Sequence, residues 1–141
     1  VIKGIMDAGE AERAVAAGAD GIIVSNHGGR QLDRAPAAIE ALPSIVDAVG
    51  GRTTVIFDSG IRRGSDVVTA MCLGAKFCFV GRWTLYGVAA GGEPGASHAL
   101  GLMKNEIGLT MGQMGAPNIP SLDQSFLMWD TPEDLKRNRR P

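Results

Sequence analysis

A histidine, two glycines and an arginine come together in this sequence just after an apolar run. The stretch SNHGGRQLD occupies residues 25–33, and the apolar residues 21–24 before it have the composition of a buried parallel strand. His27 is a candidate base, because histidine is the side chain best suited to exchange a proton near neutral pH. Arg30 can hold a carboxylate through two parallel hydrogen bonds, and the glycines between them allow the backbone to turn sharply. These residues predict a site for a small organic acid at the end of a strand.

Two later stretches carry glycine and arginine at the point where a strand gives way to a helix. Residues 58–65 read DSGIRRGS, and Gly81 with Arg82 follows the next apolar run. Backbone N–H groups at a helix N-terminus bind phosphate, and a guanidinium adds positive charge. Each of Arg62, Arg63 and Arg82, taken singly, could equally be a solvated surface side chain. Their repetition at two consecutive strand ends favours a phosphate site.

Alternating strands and helices are predicted to position these residues. Apolar residues at helical spacing indicate the helices, and capping and glycine signals indicate their ends. Asp7 and Glu10 have the spacing of a capping box, Gly18 is a predicted stop, and Ser65 is a candidate N-cap. The predicted strands are residues 1–5, 20–24, 53–57 and 77–80, and the predicted helices are residues 7–17, 36–49, 65–73, 85–90 and 95–114.

This alternation is typical of a parallel α/β fold, for which two architectures compete. A small doubly wound sheet binds ligands at a switch point, whereas in a β/α barrel the carboxyl end of every strand faces one site. Polar residues lie at or just after all four predicted strands, which favours the barrel. A full barrel needs about 250 residues, so four βα units make about half of one. Since phosphate loops in barrels often follow strands seven and eight, we predict the C-terminal half of a TIM barrel: four βα units plus C-terminal helices.

The composition is that of an ordinary globular domain. Hydrophobic residues make up 45% and charged residues 21% of the 141 residues, and the net charge of −1 gives no reason to expect nucleic acid as a partner. Cys72 and Cys78 lie in apolar surroundings and are predicted to be free, buried thiols. We predict a half-barrel over residues 1–116 and a tail over residues 117–141, whose basic run 136–140 is expected to be solvated. No metal site is predicted.

Taken together, the motifs resemble the FMN-dependent α-hydroxy acid oxidases and dehydrogenases, a family that includes glycolate oxidase, lactate oxidase, L-lactate dehydrogenase and mandelate dehydrogenase. The resemblance rests on residues 25–33, on the lysine–glycine pair at residues 3–4, and on residues 58–64 and 81–82. It covers nearly the whole chain. Residues 82–87, RWTLYG, are most similar to the bacterial mandelate and lactate dehydrogenase branch.

The resemblance implies that a small L-2-hydroxy acid, of the lactate, mandelate or glycolate class, is oxidised to the 2-keto acid. His27 would be the base that takes a proton from the substrate while a hydride or an electron pair passes to the flavin. Arg30 would bind the substrate carboxylate, and Lys3 would stabilise the negative charge of the reduced flavin. The residues implied to bind FMN are Lys3, Ser25, Asp58, Ser59, Gly60, Ile61, Arg62, Gly81 and Arg82.

Within this set the resemblance implies separate tasks. Ser25 would form a hydrogen bond with the flavin, and Asp58 would hold the ribityl hydroxyls. Ser59 occupies a position where many members have glycine and others have serine. The residues implied to hold the phosphate are Gly60, Arg62, Gly81 and Arg82.

Because residue 1 falls inside a predicted strand, the sequence is expected to be a fragment. Its expected partners are the N-terminal half of the barrel, the 2-hydroxy acid and further copies of the complete enzyme. The expected location is the cytoplasm, with membrane association through a segment outside this chain as the alternative. Two other functions stay open: a non-catalytic half-barrel that binds a phosphate ligand, and another phosphate-binding TIM-barrel enzyme. His27, Arg30 and Lys3 favour oxidation, because phosphate binding alone needs none of them.

Overall fold

Strands and helices alternate along residues 1–128, which are the residues that this computed structural model describes. The strands are β1 (Ile2–Ile5), β2 (Gly21–Val24), β3 (Thr54–Phe57) and β4 (Phe77–Cys78). The helices are α1 (Ala8–Ala16), α2 (Ala38–Val49), α3 (Gly64–Cys72) and α4 (Arg82–Met114), with short 3₁₀ turns at His27–Gly29, Ile119–Ser121 and Gln124–Phe126.

The four strands form one parallel sheet in the order β1-β2-β3-β4. A doubly wound sheet reverses its strand order at the switch point, whereas a barrel adds its strands in sequence order. The observed order agrees with the predicted barrel and not with the doubly wound alternative. Within residues 1–128, β1 and β4 each pair on one side only, so the outer edge of each strand is open.

The core lies between the sheet and the helices that cover it. Ile22, Val55 and Phe57 of the strands are buried against Leu42 and Ile45 of α2. Helix α1 packs beside α2, and α3 packs beside α4. The loops that follow the strands therefore extend directly from this packed core.

Local signals set both ends of α1 as the sequence predicts. The Asp7 side chain accepts a hydrogen bond from the Glu10 backbone N–H at 3.0 Å, which caps the N-terminus. After the helix, Gly18 has a φ of +89°, a left-handed conformation that glycine adopts readily. The chain can therefore turn at once into β2.

The start of α3 differs from the prediction, because Ser65 is not its N-cap. The helix begins at Gly64, and the Asp66 carboxylate accepts hydrogen bonds from the backbone N–H groups of Arg62 and Arg63 at 2.8 and 2.9 Å. A carboxylate in the first turn satisfies amides that have no helical partner and is favoured by the helix dipole. Asp66 therefore takes the capping role that the sequence predicts for Ser65.

Two other predicted boundaries shift. Helix α2 begins at Ala38, two residues after the predicted start at Pro36. Strand β4 has two residues instead of the four predicted, although the Phe79 N–H still donates to the Phe57 carbonyl at 2.9 Å. The chain then turns into α4, so strand pairing stops before the apolar run does.

The helices predicted at residues 85–90 and 95–114 are two segments of α4. The first segment begins three residues earlier than predicted, and non-helical backbone angles at residues 91–92 separate it from the second. The segments approach closely, since a Cβ on Gly87 would lie 2.6 Å from the Gly95 carbonyl oxygen. Glycine at this crossing therefore lets the two segments of α4 pack closely together.

Cys72 and Cys78 are both free, as predicted. Cys72 is buried, and burial raises the pKa of the partly buried Cys78 thiol to about 12, so that thiol stays protonated at neutral pH. Leu127 packs against the core, and the predicted domain boundary stays a prediction. The basic run at residues 136–140 lies outside the described residues. Among residues 1–128, no helix combines the length and apolarity needed to cross a membrane.

Candidate functional site

The carboxyl ends of the strands form one edge of the sheet, and the first residue of each following loop is fixed there. A backbone hydrogen bond extends the strand pairing by one residue after β2, β3 and β4. The loops therefore start at the same level of the sheet, although they are far apart in sequence. The donor–acceptor pairs are Ser25–Ile5 (3.3 Å), Asp58–Val24 (3.0 Å) and Phe79–Phe57 (2.9 Å).

These loops enclose a cleft of about 820 Å³, within the range of about 300–1,000 Å³ typical of small-molecule sites. His27 and Arg30 line the cleft from the loop after β2. Lys3 and Ser25 do not line it, but both are hydrogen-bonded to residues that do. The other predicted site residues that line the cleft are Asp58, Ser59, Gly60, Ile61, Arg62, Gly81 and Arg82.

The His27 side chain projects from a left-handed turn. The φ angle is +56° at His27 and +68° and +73° at the two glycines that follow, and the strain falls on the histidine because glycine adopts such angles freely. The imidazole lies against β1, since a Cβ on Gly4 would be 2.9 Å from His27 Cε1. Gly4 therefore leaves room for the ring. In the sequence, a glycine inside a predicted strand was the one indication of this close approach.

An ion pair beside the cleft joins β1 to the loop after β3. Lys3 Nζ lies 2.7 Å from Asp58 Oδ2 and donates a hydrogen bond to the Ser25 hydroxyl at 2.7 Å. Burial alone would raise the pKa of the Asp58 carboxyl, but hydrogen bonds, that from Lys3 first, outweigh burial and lower the pKa below its ordinary value of 3.8. The ion pair therefore contributes stability at neutral pH, and this contribution is lost as the pH falls through the lowered pKa.

The hydroxyls of Ser25 and Ser59 hold the backbone of the His27 turn. Ser25 is 1% exposed and accepts a hydrogen bond from the His27 N–H at 3.1 Å. Ser59 accepts one from the Gly28 N–H at 3.1 Å, and the two hydroxyl oxygens lie 3.3 Å apart. With the lysine ammonium as its third partner, the Ser25 hydroxyl is surrounded by protein groups. Its hydrogen bond to a flavin stays a prediction.

The loop before α3 has fewer available amides than the sequence indicated. The N–H groups of Arg62 and Arg63 donate to Asp66, and the Gly64 N–H donates to the Glu106 carboxylate of α4 at 2.7 Å. A side chain at position 64 would collide with the backbone of α4. Arg62 lines the cleft, so this loop offers an anion the Arg62 side chain, whereas these three backbone amides are already used.

The loop before α4 presents its helix N-terminus to the cleft. The Leu85 N–H donates the first helical hydrogen bond, to the Gly81 carbonyl at 3.2 Å, so the three preceding amides lie outside the helical ladder. Arg82 lines the cleft, and its guanidinium donates to the Gly28 carbonyl at 3.4 Å. A guanidinium beside helix N-terminal amides favours the binding of an anion.

Most of this chain matches one family of known proteins. The family described as FMN-dependent dehydrogenase matches residues 1–129, which is most of the chain. This chain belongs to the FMN-dependent dehydrogenase family. The match confirms the resemblance found in the sequence motifs.

Two curated members of this FMN-dependent dehydrogenase family show the extent of the match. The (S)-mandelate dehydrogenase of Pseudomonas putida is 49% identical over 127 residues, which are 90% of this chain and 32% of that protein. The L-lactate oxidase of Nostoc sp. is 47% identical over 127 residues, which are 90% of this chain and 35% of that protein. The chain thus spans about a third of the length of these relatives.

A solved structure agrees with the FMN-dependent dehydrogenase fold. The monotopic membrane protein (S)-mandelate dehydrogenase superposes with a TM-score of 0.85 at 48% identity, over 89% of this chain and 33% of that one. The structural relatives are TIM-barrel enzymes, so the four βα units are part of such a barrel, as predicted. The roles of individual residues stay predictions.

Proposed function

We propose that this FMN-dependent dehydrogenase chain carries the active-site residues of an enzyme that oxidises a small L-2-hydroxy acid to the 2-keto acid. The observation that carries this proposal is that His27 and Arg30 line the same cleft as Arg62 and Arg82. A base, a carboxylate-binding group and phosphate-binding cations in one cleft suit an organic acid and a phosphorylated cofactor. Lactate and mandelate, named in the relatives, belong to this substrate class.

The charge of the cleft supports the binding of two anions. Arg30, Arg62 and Arg82 line it, and among the described residues Asp58 is the single carboxylate that does so. Since Asp58 is paired with Lys3, its charge is already compensated. The remaining positive charge favours a carboxylate and a phosphate, because a cleft concentrates the electric field of its charges.

FMN fits this arrangement of residues. Nothing lies within 4 Å of a Cβ position on Gly60 or Gly81, so a phosphate can approach the backbone closely there. Arg62 and Arg82 would bind the phosphate, and Asp58 would bind ribityl hydroxyls.

One of the three N–H groups of the Lys3 ammonium has no hydrogen-bond partner among the described residues. Ser25 and Asp58 use two of its three donors, which leaves the third for the cofactor. The positive charge of Lys3 would stabilise the reduced ring, which is anionic. Ile61 lines the cleft beside these groups and would supply apolar contact.

His27 would act as the base of the reaction. Conversion of a 2-hydroxy acid to a 2-keto acid removes two electrons and two protons, and FMN, when bound, would accept the electron pair together with one of the protons. The imidazole takes one proton, from the hydroxyl if a hydride leaves Cα or from Cα if the electron pair follows. Arg30, on the same turn, would fix the carboxylate and so orient the substrate toward the base.

Replacing Arg62 with alanine is expected to weaken FMN binding by about 10–100-fold, because a hydrogen bond to a charged group contributes about 1.5–3 kcal/mol. Riboflavin lacks the phosphate, so its affinity should change little. Titration of the flavin-free complete protein with both flavins, followed by flavin fluorescence, measures the two effects.

Arg63→Ala is the matched control, because Arg63 is adjacent in sequence but does not line the cleft. It should leave the affinities for both flavins unchanged. An equal loss of FMN and riboflavin affinity in Arg62→Ala would show that Arg62 does not bind the phosphate.

The proposed partner of this chain is the remainder of the barrel. Apolar side chains are exposed along the open edge of β4, with Phe77 56% and Phe79 48% exposed, and Ile2 of β1 is 42% exposed. A barrel has no such edges, since neighbouring strands cover them. Homo-oligomerisation and a location in the cytoplasm, or at a membrane through a segment outside this chain, stay predictions.

Residues 1–141 expressed alone are expected to self-associate or unfold in part and to hold little FMN, because the open edges stay uncovered. Supplying the remaining strands in trans should restore flavin binding. Size-exclusion chromatography with flavin absorbance measures both properties. A soluble monomer that binds one FMN and turns over without the remaining strands would contradict this prediction.

The function itself is tested by product formation. With an artificial electron acceptor, the complete protein is expected to form the keto acid from at least one of L-lactate, (S)-mandelate and glycolate. Flavin binding without turnover would instead support a non-catalytic half-barrel. Binding of a sugar phosphate in a protein without flavin would support a different phosphate-binding barrel enzyme.

A further inference from the structure

We propose that the Ser59 hydroxyl is a positioning group for His27, a role that rests on the proposed function of His27 as the base. The resemblance placed Ser59 only among the residues that bind FMN. Its hydroxyl nevertheless contacts the backbone of the His27 turn, through the Gly28 N–H at 3.1 Å. Ser59 follows β3, so it ties the turn to a neighbouring strand end 31 residues away.

The partners of Ser59 fix the direction of its hydrogen bonds. The Asp58 carboxylate only accepts, so the Ser59 O–H donates to Asp58 Oδ1 at 2.8 Å. The oxygen then accepts from the Gly28 N–H and from the Ser25 hydroxyl, which lies 3.3 Å away. Ser25 must be the donor in that contact, because the hydrogen of Ser59 is already used.

Ser25 extends the same set of hydrogen bonds to β1. Its oxygen accepts from Lys3 Nζ at 2.7 Å and from the His27 N–H at 3.1 Å. The hydrogen bonds therefore run from Lys3 through Ser25 and Ser59 to Asp58, and the 2.7 Å ion pair of Lys3 with Asp58 closes the ring. This ring holds two consecutive backbone amides of the turn from which the imidazole projects.

Ser59 itself has a strained backbone, with a φ of +81°. Glycine adopts this angle more easily than serine, and alanine carries the same Cβ as serine without the hydroxyl. Substitution can therefore separate the hydroxyl from the strain. Ser59→Ala removes the hydroxyl and keeps the strain, whereas Ser59→Gly removes both.

The test compares Ser59→Ala and Ser59→Gly in the complete, FMN-loaded protein. Both variants should lower kcat for the 2-hydroxy acid by about fivefold to tenfold, because each loses the same hydrogen bonds to the turn. KM should change by less than about twofold when kcat is taken per bound FMN, and Ser59→Gly should melt at a higher temperature than Ser59→Ala. Ser65→Ala, at an exposed serine on α3, is the control for a serine-to-alanine change.

Hydrogen exchange of the Gly28 amide gives a readout that needs no turnover. Exchange should be faster in both Ser59 variants than in the unmutated protein and in Ser65→Ala. If the unmutated protein oxidises 2-hydroxy acids and both Ser59 variants keep its kcat, the positioning role is wrong and the proposed function stands. If the unmutated protein oxidises no 2-hydroxy acid, the proposed function fails. If the Gly28 amide exchanges at the same rate in the Ser59 variants as in the unmutated protein, Ser59 does not hold the turn.

Discussion

Replacing His27 with alanine in the complete protein is expected to lower the rate of flavin reduction by about 10²–10⁴-fold, the usual cost of losing a general base. FMN should stay bound, since most of the proposed cofactor contacts come from Lys3 of β1 and from the loops after β3 and β4. Rapid mixing with a 2-hydroxy acid in the absence of oxygen, followed by the loss of flavin absorbance, measures this rate.

The chain contains one other histidine, which makes a matched control possible. His98 is exposed on α4 and does not line the cleft, so His98→Ala should reduce the flavin at the unmutated rate. A His27→Ala variant that keeps the unmutated rate would show that His27 is not the base. Loss of flavin from His27→Ala would instead mean that the turn helps to hold the cofactor.

Replacing Arg30 with methionine is expected to lower kcat/KM for the 2-hydroxy acid by about 10²–10³-fold. Removing one partner of a desolvated charge pair costs about 2–5 kcal/mol, because the other charge is left unpaired. The kcat/KM of Arg30→Lys should lie between the values for Arg30→Met and the unmutated protein, because lysine keeps the charge but loses the two parallel hydrogen bonds. Steady-state kinetics with an artificial electron acceptor measures the series.

The methyl ester of the same 2-hydroxy acid separates carboxylate binding from other effects of the substitution. The ester has no charge for Arg30 to bind, so Arg30→Met and the unmutated protein should oxidise it equally slowly. Arg52→Lys is the control, because Arg52 pairs with Glu12 outside the cleft. Unchanged kcat/KM for the acid in Arg30→Met would contradict a role for Arg30 in carboxylate binding.

The fold was largely predictable because its signals are local. Asp7 caps α1 and Gly18 ends it, as the sequence indicates. Polar residues at or just after each of the four strands predicted a shared site, and the parallel sheet brings the loops after β2, β3 and β4 to one edge. Short-range patterns of this kind depend on a few neighbouring residues, so they can be read without the tertiary structure.

Contacts between distant segments could not be predicted in the same way. The Gly64 N–H donates a hydrogen bond to the Glu106 carboxylate, 42 residues away. This bond uses an amide that the sequence predicted would be available to bind phosphate. Likewise, Gly4 makes room for the His27 imidazole only because β1 and β2 are neighbours in the sheet. Such contacts depend on how helices and strands pack, which residue types and spacing do not specify.

The boundary errors have a related cause. Ser65 had the residue type of an N-cap, but Asp66 accepts the amides at the start of α3. Both residues are suitable acceptors, and the backbone path into the helix decides between them. At β4, the apolar run continues for two residues past the end of the strand at Cys78, so composition alone overestimates the strand.

We propose that this cleft, in the complete protein, oxidises a small L-2-hydroxy acid at bound FMN. The most direct test of this proposal is an anaerobic titration of the FMN-loaded protein with L-lactate, (S)-mandelate and glycolate, with flavin absorbance and keto acid measured in the same sample. At least one of these acids should bleach the flavin fully and yield one keto acid per flavin. Flavin that stays oxidised with all three acids, with no keto acid formed, would contradict the proposal.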